Sequence, residues 1–86
     1  MPQKKTAQHT PQEKIRCISF TRDLVREYLR EPEKEIARAF EERDWNVLVF
    51  DLRRVNRIDS RGFSVCVTTA KTCEHRGARF RIETND

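Results

Sequence analysis

The stretch Phe63-Ser64-Val65-Cys66-Val67-Thr68-Thr69-Ala70-Lys71-Thr72-Cys73-Glu74-His75-Arg76-Gly77 decides the fold. Its first seven residues include β-branched and aromatic types that favour strand. Its apolar positions, however, run Phe63, Cys66, Val67, Ala70 and Cys73, the i, i+3, i+4, i+7, i+10 spacing of one helix face. His75 and Arg76 then fall in a last turn, and Gly77 stands where a helix stops. Periodicity and stop signal agree and outweigh propensity, so a helix is expected over about residues 61–76.

Ala78 to Ile82 follows with clean alternation, predicting a strand with Ala78, Phe80 and Ile82 turned inward. Upstream, Val47-Leu48-Val49-Phe50 is a short unbroken apolar run, as expected of a central strand buried on both faces. Asp51 closes it, and a charged connection, Arg53 to Asp59, is pinned by Val55 and Ile58. Ile15 to Phe20 reads as another strand, with Arg16, Ile18 and Phe20 sharing a face. Thr21 to Glu31 stays open: Leu24, Val25, Tyr28 and Leu29 recur at helical spacing, yet Pro32 interrupts a helix passing through it. Pro32 suits the first turn of a new helix at 32–43, with Glu33 and Glu35 near its positive end and Arg43 near its negative end. Ile36, Ala37 and Phe40 form the apolar stripe. Strands alternating with helices imply crossover connections. The expected fold is a small α/β domain over 14–86, with a mixed, largely parallel sheet and helices packed on it. Residues 1–13, with two prolines and Lys4-Lys5, read as a flexible basic tail.

Eighty-six residues allow one small domain. Leu, Ile, Val and Phe number 20 of the 86, just above the level of roughly one-fifth below which disorder is expected. No apolar run approaches a membrane span of roughly 20 residues, and the N-terminus carries no apolar signal region, so a cytoplasmic location is expected. Two glycines, Gly62 and Gly77, cannot write a dinucleotide or nucleotide loop, so no nucleotide cofactor of that kind is expected. Three cysteines, Cys17, Cys66 and Cys73, fit a reducing compartment and act as small apolar residues. The net charge of +4 is interspersed in sign. Cys66, Cys73 and His75 match no strong zinc spacing, so no metal is expected. His75 lies roughly 22 Å along the helix from Ser60, too far for a Ser-His-Asp hydrolase. The domain is therefore expected not to be an enzyme.

The chemistry concentrates in Asp51-Leu52-Arg53-Arg54-Val55-Asn56-Arg57-Ile58-Asp59-Ser60-Arg61-Gly62-Phe63, between the end of the buried strand and the start of the last helix. In open α/β sheets, ligands and partners meet the fold at this end. Asp59 or Ser60 can cap the helix, Gly62 permits close backbone approach, and the hydroxyl is exposed at the helix's positive end. Arg53, Arg54, Arg57 and Arg61 make either a solvated basic loop or an anion site. Nucleic acid is disfavoured as a partner, because Phe50, Phe63 and Phe80 fall on core positions rather than beside the arginines.

The pattern Val49-Phe50-Asp51-Leu52, Val55, Ile58-Asp59-Ser60-Arg61-Gly62-Phe63 resembles the signature of STAS domains, the module of anti-sigma factor antagonists and sulphate-transporter tails. Cys17 to Val25 (CISFTRDLV) falls where that family has a strand followed by Thr-Gly-Glu-Leu-Asp. Arg76-Gly77-Ala78-Arg79-Phe80 resembles its helix-end glycine and following strand. The resemblance covers about residues 15 to 84. It implies a non-enzymatic, bacterial-type regulatory module in which Ser60 is phosphorylated by a serine kinase that is also the anti-sigma factor. It further implies a partner surface of Asp59, Arg61, Gly62, Arg57, Arg22 and Asp23. Arg22 and Val25 replace the family's glycine and aspartate. The family also continues beyond the length seen here, so the domain is expected to be C-terminally shortened, with one side less covered and a homodimer as one way to complete it. Two alternatives remain: a phosphorylation-insensitive scaffold or oligomerisation domain of the same fold, and a basic nucleic-acid-binding adaptor.

Overall fold

A computed structural model of the chain describes residues 12–85. The basic tail expected over 1–13 lies outside these residues except for Gln12 and Glu13. Three strands, β1 (Ile15–Ser19), β2 (Val47–Asp51) and β3 (Arg79–Glu83), form one sheet in the order β1-β2-β3. Both pairings are parallel, with Ile15 opposite Val47 and Val47 opposite Arg79. Helix α1 (Arg30–Glu41) links β1 to β2, and α2 (Ser60–Arg76) links β2 to β3. The α/β class is as expected, and the sheet is wholly parallel among the described residues.

The disputed stretch is helical. Gly77 stops α2 at φ 81° and ψ 19°, a left-handed conformation that glycine adopts without Cβ strain. Thr69 is 3% exposed inside the helix, and its hydroxyl donates to the Val65 carbonyl at 2.7 Å. Such back-bonding satisfies a buried β-branched polar residue without leaving the helix.

Register places Arg16, Leu48 and Phe80 in one row and Ile18, Phe50 and Ile82 in the next, all on one face of the sheet. Both helices cover that face. Phe50 is fully buried, and Phe20 and Phe80 meet it edge-on at centroid distances of 4.9 and 4.8 Å. Arg76, the last residue of α2, donates to the Phe40 and Glu42 carbonyls at the end of α1. Its guanidinium lies 3.9 Å from the Trp45 ring centre, and the Trp45 indole donates to the Ala39 carbonyl. One side chain thereby caps α1 and ties it to α2. On the opposite face, Arg79 and Arg81 both reach the Glu13 carboxylate, across Val47 and Val49 of the central strand. All four residues of the Val47–Phe50 run are buried, as expected of a central strand.

Several expectations are corrected. The first helix begins at Arg30 and ends at Glu41, not over 32–43. Pro32 sits at its third position, where a backbone N–H has no helical partner to lose. Ala39, not Ala37, is the buried alanine. The open segment before it holds a single 3₁₀ turn at Arg26–Tyr28, with Leu24, Val25 and Leu29 buried. Ile58 does not pin its loop through its side chain, which is 48% exposed; its backbone does so by bridging to Leu24. Phe63, Val67 and Ile82, expected to face the core, are exposed. The buried face of α2 is instead Gly62, Cys66, Thr69 and Cys73. A single polar-to-buried exchange at Thr69 rotates the inward direction by part of a turn, which an apolar count does not register.

Truncating the ring at the centre of this core tests the packing account. Phe50→Ala is expected to lower unfolding free energy by about 3–5 kcal/mol, read from urea midpoints.

Candidate functional site

The loop after β1 and the loop after β2 lie together at the carboxyl end of the sheet, joined by backbone. The Leu24 N–H donates to the Arg57 carbonyl at 3.0 Å, and the Asp59 N–H donates to the Leu24 carbonyl at 3.2 Å. These bonds form a short parallel bridge between Leu24 and Ile58. Two carboxylates lock the bridge on either side. Asp23 accepts the Asn56 and Arg57 N–H groups at 2.9 and 3.2 Å. Asp59 accepts the Gly62 N–H at 2.8 Å and the Arg26 N–H at 2.9 Å.

Asp59 is therefore the N-cap of α2 and at the same time a strut to the 3₁₀ turn. The Gly62 and Arg26 amides hold its carboxyl below the usual carboxylate range. Ser60 is the first helical residue and is exposed, so the cap role weighed for it falls to its neighbour. Gly62 is buried: a Cβ there would lie 2.0 Å from the Leu24 carbonyl oxygen. The glycine expected on a partner surface is instead the contact that lets α2 start beneath the β1 loop.

The arginines divide by partner. Arg53 clamps Asp51 with its Nε and Nη2 at 2.8 Å each, and its backbone N–H joins them. This pairing lowers the Asp51 pKa to about 2. Arg57 lies 4.0 Å from Asp23. Arg22 stacks over the Tyr28 ring at 3.8 Å. Arg54 and Arg61 are exposed and form no ion pair among the described residues. The structure thus gathers Ser60, Asp59, Arg57, Arg61, Arg22 and Asp23 at one end of the sheet, with Asp23 and Asp59 turned to backbone rather than to solvent.

Elsewhere, Cys66 and Cys73 are buried, and burial pushes both thiols up. Among the described residues no group of three or more His, Cys, Asp and Glu side chains is placed to hold a metal. Nor is any helix there long and apolar enough to cross a membrane. Phe63 follows Gly62 and is 64% exposed, against the core position expected for it. Sequence reasoning missed this exposed ring, and it also missed the carboxylate bridges of Asp23, which depend on two loops distant in sequence.

No protein-family model matches the chain, and no curated protein matches it.

Two outcomes check this geometry. Gly62→Ala must displace the Leu24 backbone and is expected to cost about 1–3 kcal/mol in denaturant titration. For pH, Asp51 and Asp59 have folded pKa values below their unfolded ones, so the unfolded state binds protons first as pH falls. Their contribution is present above the unfolded value, about pH 4, and is lost as pH falls through the folded values, about 2 for Asp51. Urea midpoints measured from pH 5 to about pH 2 should fall, and Asp59→Asn should flatten that fall.

Proposed function

We propose that this chain is a non-enzymatic regulatory module resembling an anti-sigma factor antagonist, switched by phosphorylation of Ser60 by a partner serine kinase. The observation that carries the reading is the position of Ser60: exposed, first in α2, and relieved of capping by Asp59. A serine needed as a cap would be unavailable to a kinase; this one is free to be a substrate. The resemblance of residues 49–63 to the STAS signature supports the same residue and the same class of partner.

The switch follows from charge. A phosphate adds roughly −1.5 to −2 charge units. On Ser60 it stands at the positive end of α2, beside Arg61 and with Arg57 on the preceding turn of chain. A partner that docks on this end while it is basic presents an acidic or neutral surface. The added charge turns attraction into repulsion and must be desolvated on docking. The hydroxyl itself is a weak nucleophile, so the base, nucleotide and metal belong to the kinase, and this domain is the substrate.

Incubation with ATP and an anti-sigma-type serine kinase is expected to add one phosphate per chain, seen by intact-mass spectrometry. Ser60→Ala should abolish it while changing unfolding free energy by no more than about 0.5 kcal/mol. Ser60→Asp should weaken kinase binding in titration calorimetry. Equal binding by parent and Asp variant would sink the switch.

A further inference from the structure

Strand β3 pairs with β2 on one side only among the described residues. The Arg79 N–H donates to the Asn46 carbonyl, and the Glu83 carbonyl accepts from the Leu52 N–H. Odd-numbered residues therefore bond inward to β2. By strand alternation, the amides and carbonyls of Phe80, Ile82 and Thr84 point outward from the edge. Ile82 itself is 44% exposed on the face that carries the helices.

Helix α2 extends this apolar surface. One of its flanks, Arg61, Val65 and Thr68, borders a groove shared with Glu33 and Ile36 of α1. Phe63, Val67 and Ala70, spaced i, i+4, i+7, lie on the other flank, away from α1 and on the β3 side. Phe63 is 64% exposed and Val67 37%. A patch of this kind at an open edge is a surface that a partner covers.

We propose that the outer edge of β3 and this flank of α2 bind a second copy of the chain, β3 pairing antiparallel to its counterpart about a two-fold axis through Ile82. The inference is independent of the role of Ser60. Three symmetric registers use the outward groups near the end of the strand. Centred on Arg81, the pairing sets Arg81 against itself, offsetting the two Arg79–Glu83 pairs it also makes; centred on Glu83, it sets Glu83 against itself. Like charges directly opposite one another are destabilising. Centred on Ile82, it sets Ile82 against Ile82 and hydrogen-bonds Phe80 to Thr84. It also places Arg81 of each chain opposite Glu83 of the other, in the closer, non-hydrogen-bonded position. Charge complementarity thus selects one register. The result is a continuous six-stranded sheet with an isologous interface. The two α2 helices run antiparallel on the same face of it, each turning Phe63 and Val67 toward the axis.

Sedimentation equilibrium on the full chain, from micromolar to millimolar and at low salt, should show a monomer–dimer equilibrium. Arg81→Glu and Glu83→Arg should each weaken the dimer roughly tenfold, because each replaces two attractive cross-strand pairs by repulsive ones. An equimolar mixture of the two variants should restore parental affinity, since each chain then supplies the charge that the other needs. An unfolded variant could not be rescued in this way. Phe63→Ser, at an exposed position, should weaken the dimer with an unchanged far-ultraviolet spectrum. A chain that stays monomeric throughout overturns the proposal, as does a dimer whose affinity neither charge variant alters.

Discussion

The structure turns on the approach of the Leu24 carbonyl to Gly62. Only a residue without a Cβ lets the first turn of α2 pass beneath the loop that follows β1. That approach brings Asp59 within reach of the Arg26 amide and lets one carboxylate serve both the helix end and the neighbouring loop. Asp23 answers from the other side by holding the Asn56 and Arg57 amides. The exposed hydroxyl of Ser60 owes its place to these contacts, none of which involves its own side chain.

The electrostatics of this end follow from the same arrangement. Asp23 and Asp59 are spent on backbone amides and Asp51 on Arg53, and the neighbouring Arg54 and Arg61 remain without acidic partners among the described residues. A module of modest net charge thereby acquires a basic end without a long run of basic sequence. Charges of both signs are mixed along the chain, but folding neutralises them unevenly.

Much of this was legible in the sequence because period and punctuation agreed. The helix at 60–76 followed from apolar spacing together with His75, Arg76 and Gly77, and the central strand from an unbroken run of four apolar residues. Ser60 and Asp59 fall at the helix entrance by residue type and by their position just before the helical pattern. The direction in which α2 faces was not legible. Thr69 hides its hydroxyl on the Val65 carbonyl and enters the core as though apolar, so Phe63 and Val67 lose the inward place that their chemistry suggested. Gly62 reads as a close-approach residue, but what approaches it lies thirty-eight positions earlier, and no local pattern encodes that. The hold that Asp23 keeps on the Asn56 and Arg57 amides is illegible for the same reason, since they lie in a distant loop.

The equal spacing of the two pairings carries a kinetic meaning. Ile15 faces Val47 and Val47 faces Arg79, so each adjacent strand lies 32 residues further along the chain. No hairpin exists among the described residues to start the sheet cheaply, and every ladder must close a long loop before its first bond forms. Helix formation shortens those loops in space, which makes α1 and α2 the natural early elements and β2 the hub on which both halves converge. Until β2 is seated, neither β1 nor β3 has a partner strand within the chain.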